Sequence, residues 1–235
     1  MNATVSRIGP VSRAFRRGTK LYDLVTALPL VAWYVLCLFG AARQLMHGFE
    51  SVSSMGIELR LLLSLLSQIS KFSFAALLIV LLIVRRPPIA GSRGIVPKLM
   101  AFFGTYLGIA LLVLPGSGAD SHWLLLSSFL TFFGMTFAVF SLAWLGRSIS
   151  ILPESRKLVT SGPYSIIRHP LYLGEQIALA GVALQVGTAW AAPAVVLQFC
   201  CQLYRMNYEE KVLSASFPEY KAYMAETDRL IPWLY

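Results

Sequence analysis

Fourteen consecutive residues concentrate the polar chemistry of this chain: Gly162-Pro163-Tyr164-Ser165-Ile166-Ile167-Arg168-His169-Pro170-Leu171-Tyr172-Leu173-Gly174-Glu175. They set an arginine, a histidine, two tyrosines and a carboxylate directly before an apolar stretch. Four Gly and Pro residues constrain the backbone around those groups. A second set, Arg205, Glu209 and Glu210, follows another apolar stretch, and Arg205 and Glu209 are four apart, so they share a helix face. A pocket holding both cations and carboxylates suits a zwitterionic or polyhydroxyl small molecule. An interfacial salt-bridge network that anchors the helices would use the same residue types.

Other chemistries find no support. The histidines, His47, His122 and His169, are read as lying in three separate connections, so a His-rich metal site is not expected, and no metal is assigned. No Cys-x-x-Cys pair accompanies them. Cys37, Cys200 and Cys201 lie inside apolar runs and read as small buried hydrophobes. There is no Gly-x-Ser-x-Gly elbow, no phosphate-binding glycine loop and no dinucleotide fingerprint.

The elements that must position these residues are membrane helices. The chain has 235 residues, 57% hydrophobic and 13% charged, against about 25% charged in an ordinary soluble domain. Apolar runs at 21–41, 61–84, 99–114 and 123–145 approach the roughly 20 residues a spanning helix needs. Shorter runs at 171–186 and 189–204 are joined by Gly187-Thr188 and read as a tight helical hairpin. Helices are required because lipid cannot satisfy free backbone groups. Five Lys/Arg lie in 1–20, four in 85–98, four in 147–169 and four in 205–235, together 17 of the 20. Basic connections stay cytoplasmic, so six spans with both termini in the cytoplasm fit every connection. The same rule explains the net charge of +9 without a nucleic-acid partner. The run 21–41 exceeds a signal-peptide core of 7–15 residues and reads as an anchor helix.

Residues 1–146 read as four ordinary spans, and residues 147–235 as the chemical half, holding seven of the eleven acidic residues. The segment 147–169 is too long for a tight connection and reads as an ordered cytoplasmic cap. Proline opens the helix after His169. Gly174, Ala178 and Gly181 make one small-residue face, expected to pack the hairpin closely. The segment 205–223 carries the last helix into the cytoplasm, and Phe217-Pro218-Glu219-Tyr220 interrupts and restarts it. Tyr220, Tyr223, Trp233 and Tyr235 suit a membrane interface. Lys71, with Gln68 three residues earlier, falls inside an apolar run. It reads either as a functional charge or as a lysine snorkelling from a shifted helix, the latter preferred.

Two ordered motifs carry a family resemblance over 147–235. The runs Arg156-Lys157-Leu158-Val159-Thr160-Ser161-Gly162-Pro163-Tyr164 and Arg168-His169-Pro170-Leu171-Tyr172-Leu173-Gly174-Glu175 come first. Arg205, Glu209-Glu210-Lys211-Val212-Leu213, Phe217-Pro218-Glu219-Tyr220 and Arg229-Leu230-Ile231-Pro232 follow. Together they resemble the isoprenylcysteine carboxyl methyltransferase family. The resemblance implies an all-α integral membrane enzyme of about six transmembrane helices, the last two a hairpin, with a C-terminal helix capping the cofactor site. It implies S-adenosyl-L-methionine as cofactor, lined by Arg156, Lys157, Leu158, Val159, Tyr164, His169, Pro170, Leu171, Tyr172 and Glu209. Eukaryotic members carry histidine where this chain has Arg156. Arg205 falls on the substrate side and is grouped with Glu210 as catalytic.

The implied reaction is methyl transfer to a lipophilic or lipid-anchored acceptor, a carboxylate foremost, at the cytoplasmic face of a bacterial inner membrane. Such transfer needs positioning rather than a covalent intermediate, consistent with the missing nucleophile motif. Alternatives are phospholipid N-methylation, an NADPH-dependent sterol-reductase-like enzyme, and a non-catalytic membrane protein with the same fold.

Overall fold

The structure, a computed structural model, describes residues 19–55, 58–92, 94–113 and 121–234. Most of the basic N-terminal tail, the connection around 114–120 and Tyr235 lie outside them. The described chain is all-α apart from one minimal ribbon. Its helices are α1 (Lys20–Met55), α2 (Leu59–Val84), α3 (Val96–Val113), α4 (Ser121–Leu145), α5 (Pro170–Val186), α6 (Ala191–Ser216) and α7 (Tyr220–Glu226). The ribbon pairs β1 (Ala90–Gly91) antiparallel to β2 (Glu154–Ser155).

Among the described residues, three helical stretches are long and apolar enough to cross a bilayer by length and composition: Lys20–Ser54, Leu59–Val84 and Trp123–Ser148. α5 has 17 residues, about 26 Å of helix at 1.5 Å per residue, short of a hydrocarbon core of about 30 Å. α6 is longer, but its second half carries Arg205, Glu209, Glu210 and Lys211. α1 continues well past residue 41, so His47 stands on a helix rather than in a connection. Lipid-compatible side chains such as Leu36, Phe39, Phe133 and Val196 are exposed.

The closest helix packing is between α4 and α5. A Cβ placed on Gly134 would lie 2.4 Å from the Ala178 amide nitrogen and 2.7 Å from the Gly174 carbonyl oxygen. One on Gly181 would meet Thr131 Oγ1 at 2.5 Å. The small-residue face of α5 is real, but α4 covers it, not α6. α5 and α6 instead meet through long polar side chains. Gln176 donates to Gln198 and Gln202, and Gln202 Nε2 donates to Glu175 Oε2 at 2.8 Å. Around the α4–α5 seam, Leu82, Ala138 and Leu142 are fully buried with Phe74, Leu78, Ile149 and Leu171.

An ion cluster unforeseen in the sequence ties the ends of this bundle together. Asp23, on the first turn of α1, is 3% exposed. Its carboxylate accepts from Arg85, just past α2, at 3.0 Å, and from Arg156 Nη2 at 2.8 Å. Lys20 Nζ donates to the Ile83 carbonyl at 2.8 Å, placing a cation at the negative end of α2. Leaving such a buried charge unpaired costs about 3–5 kcal/mol, so Asp23 fixes how the 150s loop sits on α1 and α2.

Candidate functional site

The loop 147–169 packs against the helix ends. Gly146 and Gly162 both adopt left-handed φ, +53° and +62°. A Cβ at Gly162 would lie 2.4 Å from the Trp144 ring, so the turn into Pro163-Tyr164 can be made only by glycine. The segment then pairs with the C-terminus. The Arg168 amide donates to the Asp228 carbonyl at 2.9 Å, and the His169 amide to the Arg229 carbonyl at 3.0 Å. Arg168 also donates from its guanidinium to the Met224 and Thr227 carbonyls. Pro170 opens α5 with its missing N–H at an unneeded position.

Glu210 latches this cap shut. Oε1 accepts from Arg168 Nε at 2.9 Å and faces His169 Nε2 at 3.2 Å, while Oε2 pairs with Arg229 at 3.1 Å. Burial by itself pushes the Glu210 pKa upward. Hydrogen bonds from His169 and Arg168, with the charges of His169 and Arg229, outweigh it and bring it down to about 2. Its carboxylate therefore stays ionised at any physiological pH.

At the neighbouring residue on α6, Glu209, the arrangement opens into a cavity of about 990 Å³. Glu209 Oε1 accepts from the Tyr172 hydroxyl at 2.5 Å and from Arg205 Nε at 3.0 Å. The Arg205 guanidinium lies 5.1 Å from the Tyr172 ring centroid, and also donates to Thr105 Oγ1 at 3.5 Å and the Ser150 carbonyl at 3.3 Å. His169 stacks on Tyr172 at 5.5 Å between centroids. Thus α3, α5, α6 and the loop each contribute to one polar cluster.

Of the sequence-predicted residues, Arg156, Lys157, Leu158, Val159, Tyr164, His169, Leu171, Tyr172, Arg205 and Glu209 all line the cavity. Pro170 and Glu210 do not. Pro170 is fully buried as a helix start, and Glu210 is committed to the latch. The Arg156 side chain is fully covered, and Asp23 and Glu154 bind its Nη2 at 2.8 Å each, while its Nε is buried without a partner.

Tyr220 and Tyr223, read as interfacial, line the cavity. Tyr220 is 1% exposed, and the Tyr223 hydroxyl donates to the Tyr164 carbonyl at 2.5 Å. Burial pushes the Tyr223 phenol up to about 12 and raises that of Tyr164 as well, so both remain neutral donors. Trp233, by contrast, is almost wholly exposed. Among the described residues, no group of three or more His, Cys, Asp and Glu is placed to hold a metal ion.

The cavity bears on S-adenosyl-L-methionine through its chemistry. Aromatic rings and carboxylates stand beside apolar Leu158, Val159 and Leu213, a setting for a cation that also carries a flat base. The Tyr164 hydroxyl is buried without a hydrogen-bond partner, and a buried polar group of that kind calls for a ligand or water. The donor set fits the group.

Fold and site together define an integral membrane protein with a polar, aromatic-lined chamber under a latched C-terminal cap. The chain belongs to the phospholipid methyltransferase family, whose model matches residues 103–220. That is the family to which the isoprenylcysteine carboxyl methyltransferase-like membrane enzymes belong, as the motifs implied, and its members are methyltransferases.

Two curated relatives are similar over part of the chain. The nickel-cobalt-cadmium resistance protein NccN of Alcaligenes xylosoxydans xylosoxydans is 32% identical over 102 residues, 43% of this chain and 47% of that protein. The cobalt-zinc-cadmium resistance protein CzcN of Cupriavidus metallidurans is 30% identical over 130 residues, 54% of this chain and 59% of that protein. The chain thus spans about half the length of these relatives.

Proposed function

We propose that the chain transfers a methyl group from S-adenosyl-L-methionine to a lipophilic or lipid-anchored acceptor, a carboxylate foremost, at the cytoplasmic face of a bacterial inner membrane. The observation that carries this reading is the convergence of Tyr164, His169, Tyr172, Arg205 and Glu209 on one cavity in a member of a methyltransferase family. The donor supplies an electrophilic methyl on a sulfonium centre. The protein's part is to bind, orient and exclude water. Glu209, held by Tyr172 and Arg205, presents negative charge, and the Tyr164 hydroxyl donates or accepts at the chamber wall. Two of the five guanidinium N–H groups of Arg205 have no partner among the described residues, which leaves them for the acceptor. Glu210 is then a positioning residue that fixes His169 and the cap.

The acceptor approaches from the bilayer, so the six-span arrangement with cytoplasmic termini belongs to the same reading, with α3, α5 and the apolar half of α6 completing the crossings. Residues 147–235 would form the methyltransferase core and residues 1–146 its membrane scaffold. Reporter fusions after residues 20, 90, 155 and 235 are expected to report cytoplasm, and fusions near 50 and 118 the opposite side. A C-terminal fusion reporting the opposite side would remove the site from the cytoplasmic donor.

The class of reaction is separable from its alternatives with the purified protein. S-adenosyl-L-methionine is expected to bind and its labelled methyl to enter the organic extract of membranes, while NADPH neither binds nor is oxidised. Binding of NADPH instead would assign a reductase, and binding of neither a non-catalytic protein.

A further inference from the structure

The cavity does not end at the polar cluster. It continues between α1, α2 and α4, where Trp33, Gln68, Lys71 and Thr131 line it. Its total of about 990 Å³ is at the top of the range of roughly 300–1,000 Å³ for a single ligand. That leaves space beyond a donor at the Glu209 end.

Lys71 lies 13 residues before Val84, the last residue of α2, hence about 20 Å along the axis from the end that Lys20 caps. It is one turn further in than Phe74, whose buried cluster includes Leu171, the neighbour of Tyr172. At the middle of α2, Lys71 lines the cavity. No hydrogen bond or ion pair to Lys71 exists among the described residues. Three further polar atoms on the same lobe, Trp33 Nε1, Gln68 Oε1 and Thr131 Oγ1, are buried with no hydrogen-bond partner. A Cβ on Gly48 would lie 2.7 Å from Gln68 Oε1, so α1 closes over it.

Buried polar groups are satisfied in the great majority of cases, and an unpaired intramembrane charge is costly. Three such groups beside the Lys71 cation, among apolar neighbours such as Leu36, Cys37 and Ala75, describe a ligand subsite. The lobe offers the Lys71 cation, an indole N–H donor and a hydroxyl to an oxyanion, with the Gln68 amide oxygen as an acceptor beside them.

We propose that this inner lobe is an amphiphile-binding subsite in which Lys71, with Trp33 and Thr131, takes the carboxylate or phosphate group of the acceptor that is remote from the methylated atom. The inference rests on the methyltransferase reading for the identity of the occupant as acceptor, and on the lobe itself for its chemistry.

The test uses the full chain in phosphatidylcholine nanodiscs, with 11-(dansylamino)undecanoate as fluorescent probe and dodecanoate, dodecyl phosphate and dodecanol as competitors. The anionic competitors are expected to displace the probe, and dodecanol to do so only at about tenfold or higher concentration. Which anion displaces better separates a carboxylate acceptor from a phosphate one. Lys71→Met, which removes an unpaired charge and keeps the side-chain length, is expected to fold. It should weaken both anions about tenfold or more, leave dodecanol unchanged, and bind S-adenosyl-L-methionine within twofold of the parent. Lys71→Arg should retain the preference for anions. Equal displacement by dodecanol and dodecanoate, or unchanged anion affinity in Lys71→Met, would overturn the proposal. Lys71-dependent anion binding in a protein that binds no S-adenosyl-L-methionine would uphold the subsite and reject the donor assignment instead.

Discussion

Arg205→Ala is expected to lower methyl transfer by about a hundredfold or more while changing donor affinity by less than about threefold. Misplacing a reacting group by about 1 Å is enough for a rate loss of that size. The Arg205 guanidinium spans Glu209 on its own helix, Thr105 on α3 and the Ser150 carbonyl in the loop. Glu209 keeps its 2.5 Å bond from Tyr172 when Arg205 is gone, so the donor wall survives. Arg205→Lys should recover only part of the rate, because one ammonium cannot serve three directions as a planar fork does. Turnover and donor affinity measured on the same variant decide the matter. Unchanged turnover would reduce Arg205 to a structural i,i+4 partner of Glu209, worth a few tenths of a kcal/mol.

The second large effect is on folding. Gly134→Val should prevent accumulation of folded protein, and Gly134→Ala should already cost more than about 3 kcal/mol. Overpacking typically costs about 1–3 kcal/mol where side chains can move. Here the obstructing atoms are the backbone of Ala178 and Gly174 at 2.4 and 2.7 Å, which cannot turn aside. Domains hold only about 5–15 kcal/mol of net stability. Gly40→Ala on α1 is the matched control, since nothing lies within 4 Å of its added Cβ. It should be neutral or stabilising by up to about 1 kcal/mol. Thermal midpoints of the two alanine variants in one detergent check the contrast, and equal midpoints would mean that α4 and α5 do not touch as closely as this.

How far the sequence was legible follows from which interactions are local. The helix start at Pro170, the turn at Gly162-Pro163 and the restart at Tyr220 depend on residues a few positions apart, and are legible in the sequence. Arg205, Glu209 and Tyr172 could be grouped because two consecutive helices bring their ends together. Asp23 could not be foreseen, because its partners Arg85 and Arg156 lie 62 and 133 residues away and no local pattern marks it. The periodicity of Gly174, Ala178 and Gly181 identifies a close-packing face but not its cover, and α4 took the place expected of α6. Tyr220 and Tyr223 have the composition of an interfacial pair, yet the latch through Glu210, Arg168 and Arg229 folds their segment inward. Arg156 matches a motif position while its charge is consumed by Asp23 and Glu154. Lys71 was visible as an anomaly in an apolar run, and only its depth along α2 separates a chamber lysine from an interfacial one.

The proposed reaction depends most directly on Glu209 as the donor contact in the cavity. Calorimetric titration of the purified full chain with S-adenosyl-L-methionine, repeated on Glu209→Gln, tests it. Glutamine keeps a hydrogen-bonding group for Tyr172 and removes only the charge. Saturable binding by the parent is predicted, with affinity about 5- to 150-fold weaker in the variant, the loss that accompanies removal of a charged hydrogen-bond partner. No saturable heat with the parent, or equal affinity in the two proteins, would contradict the assignment.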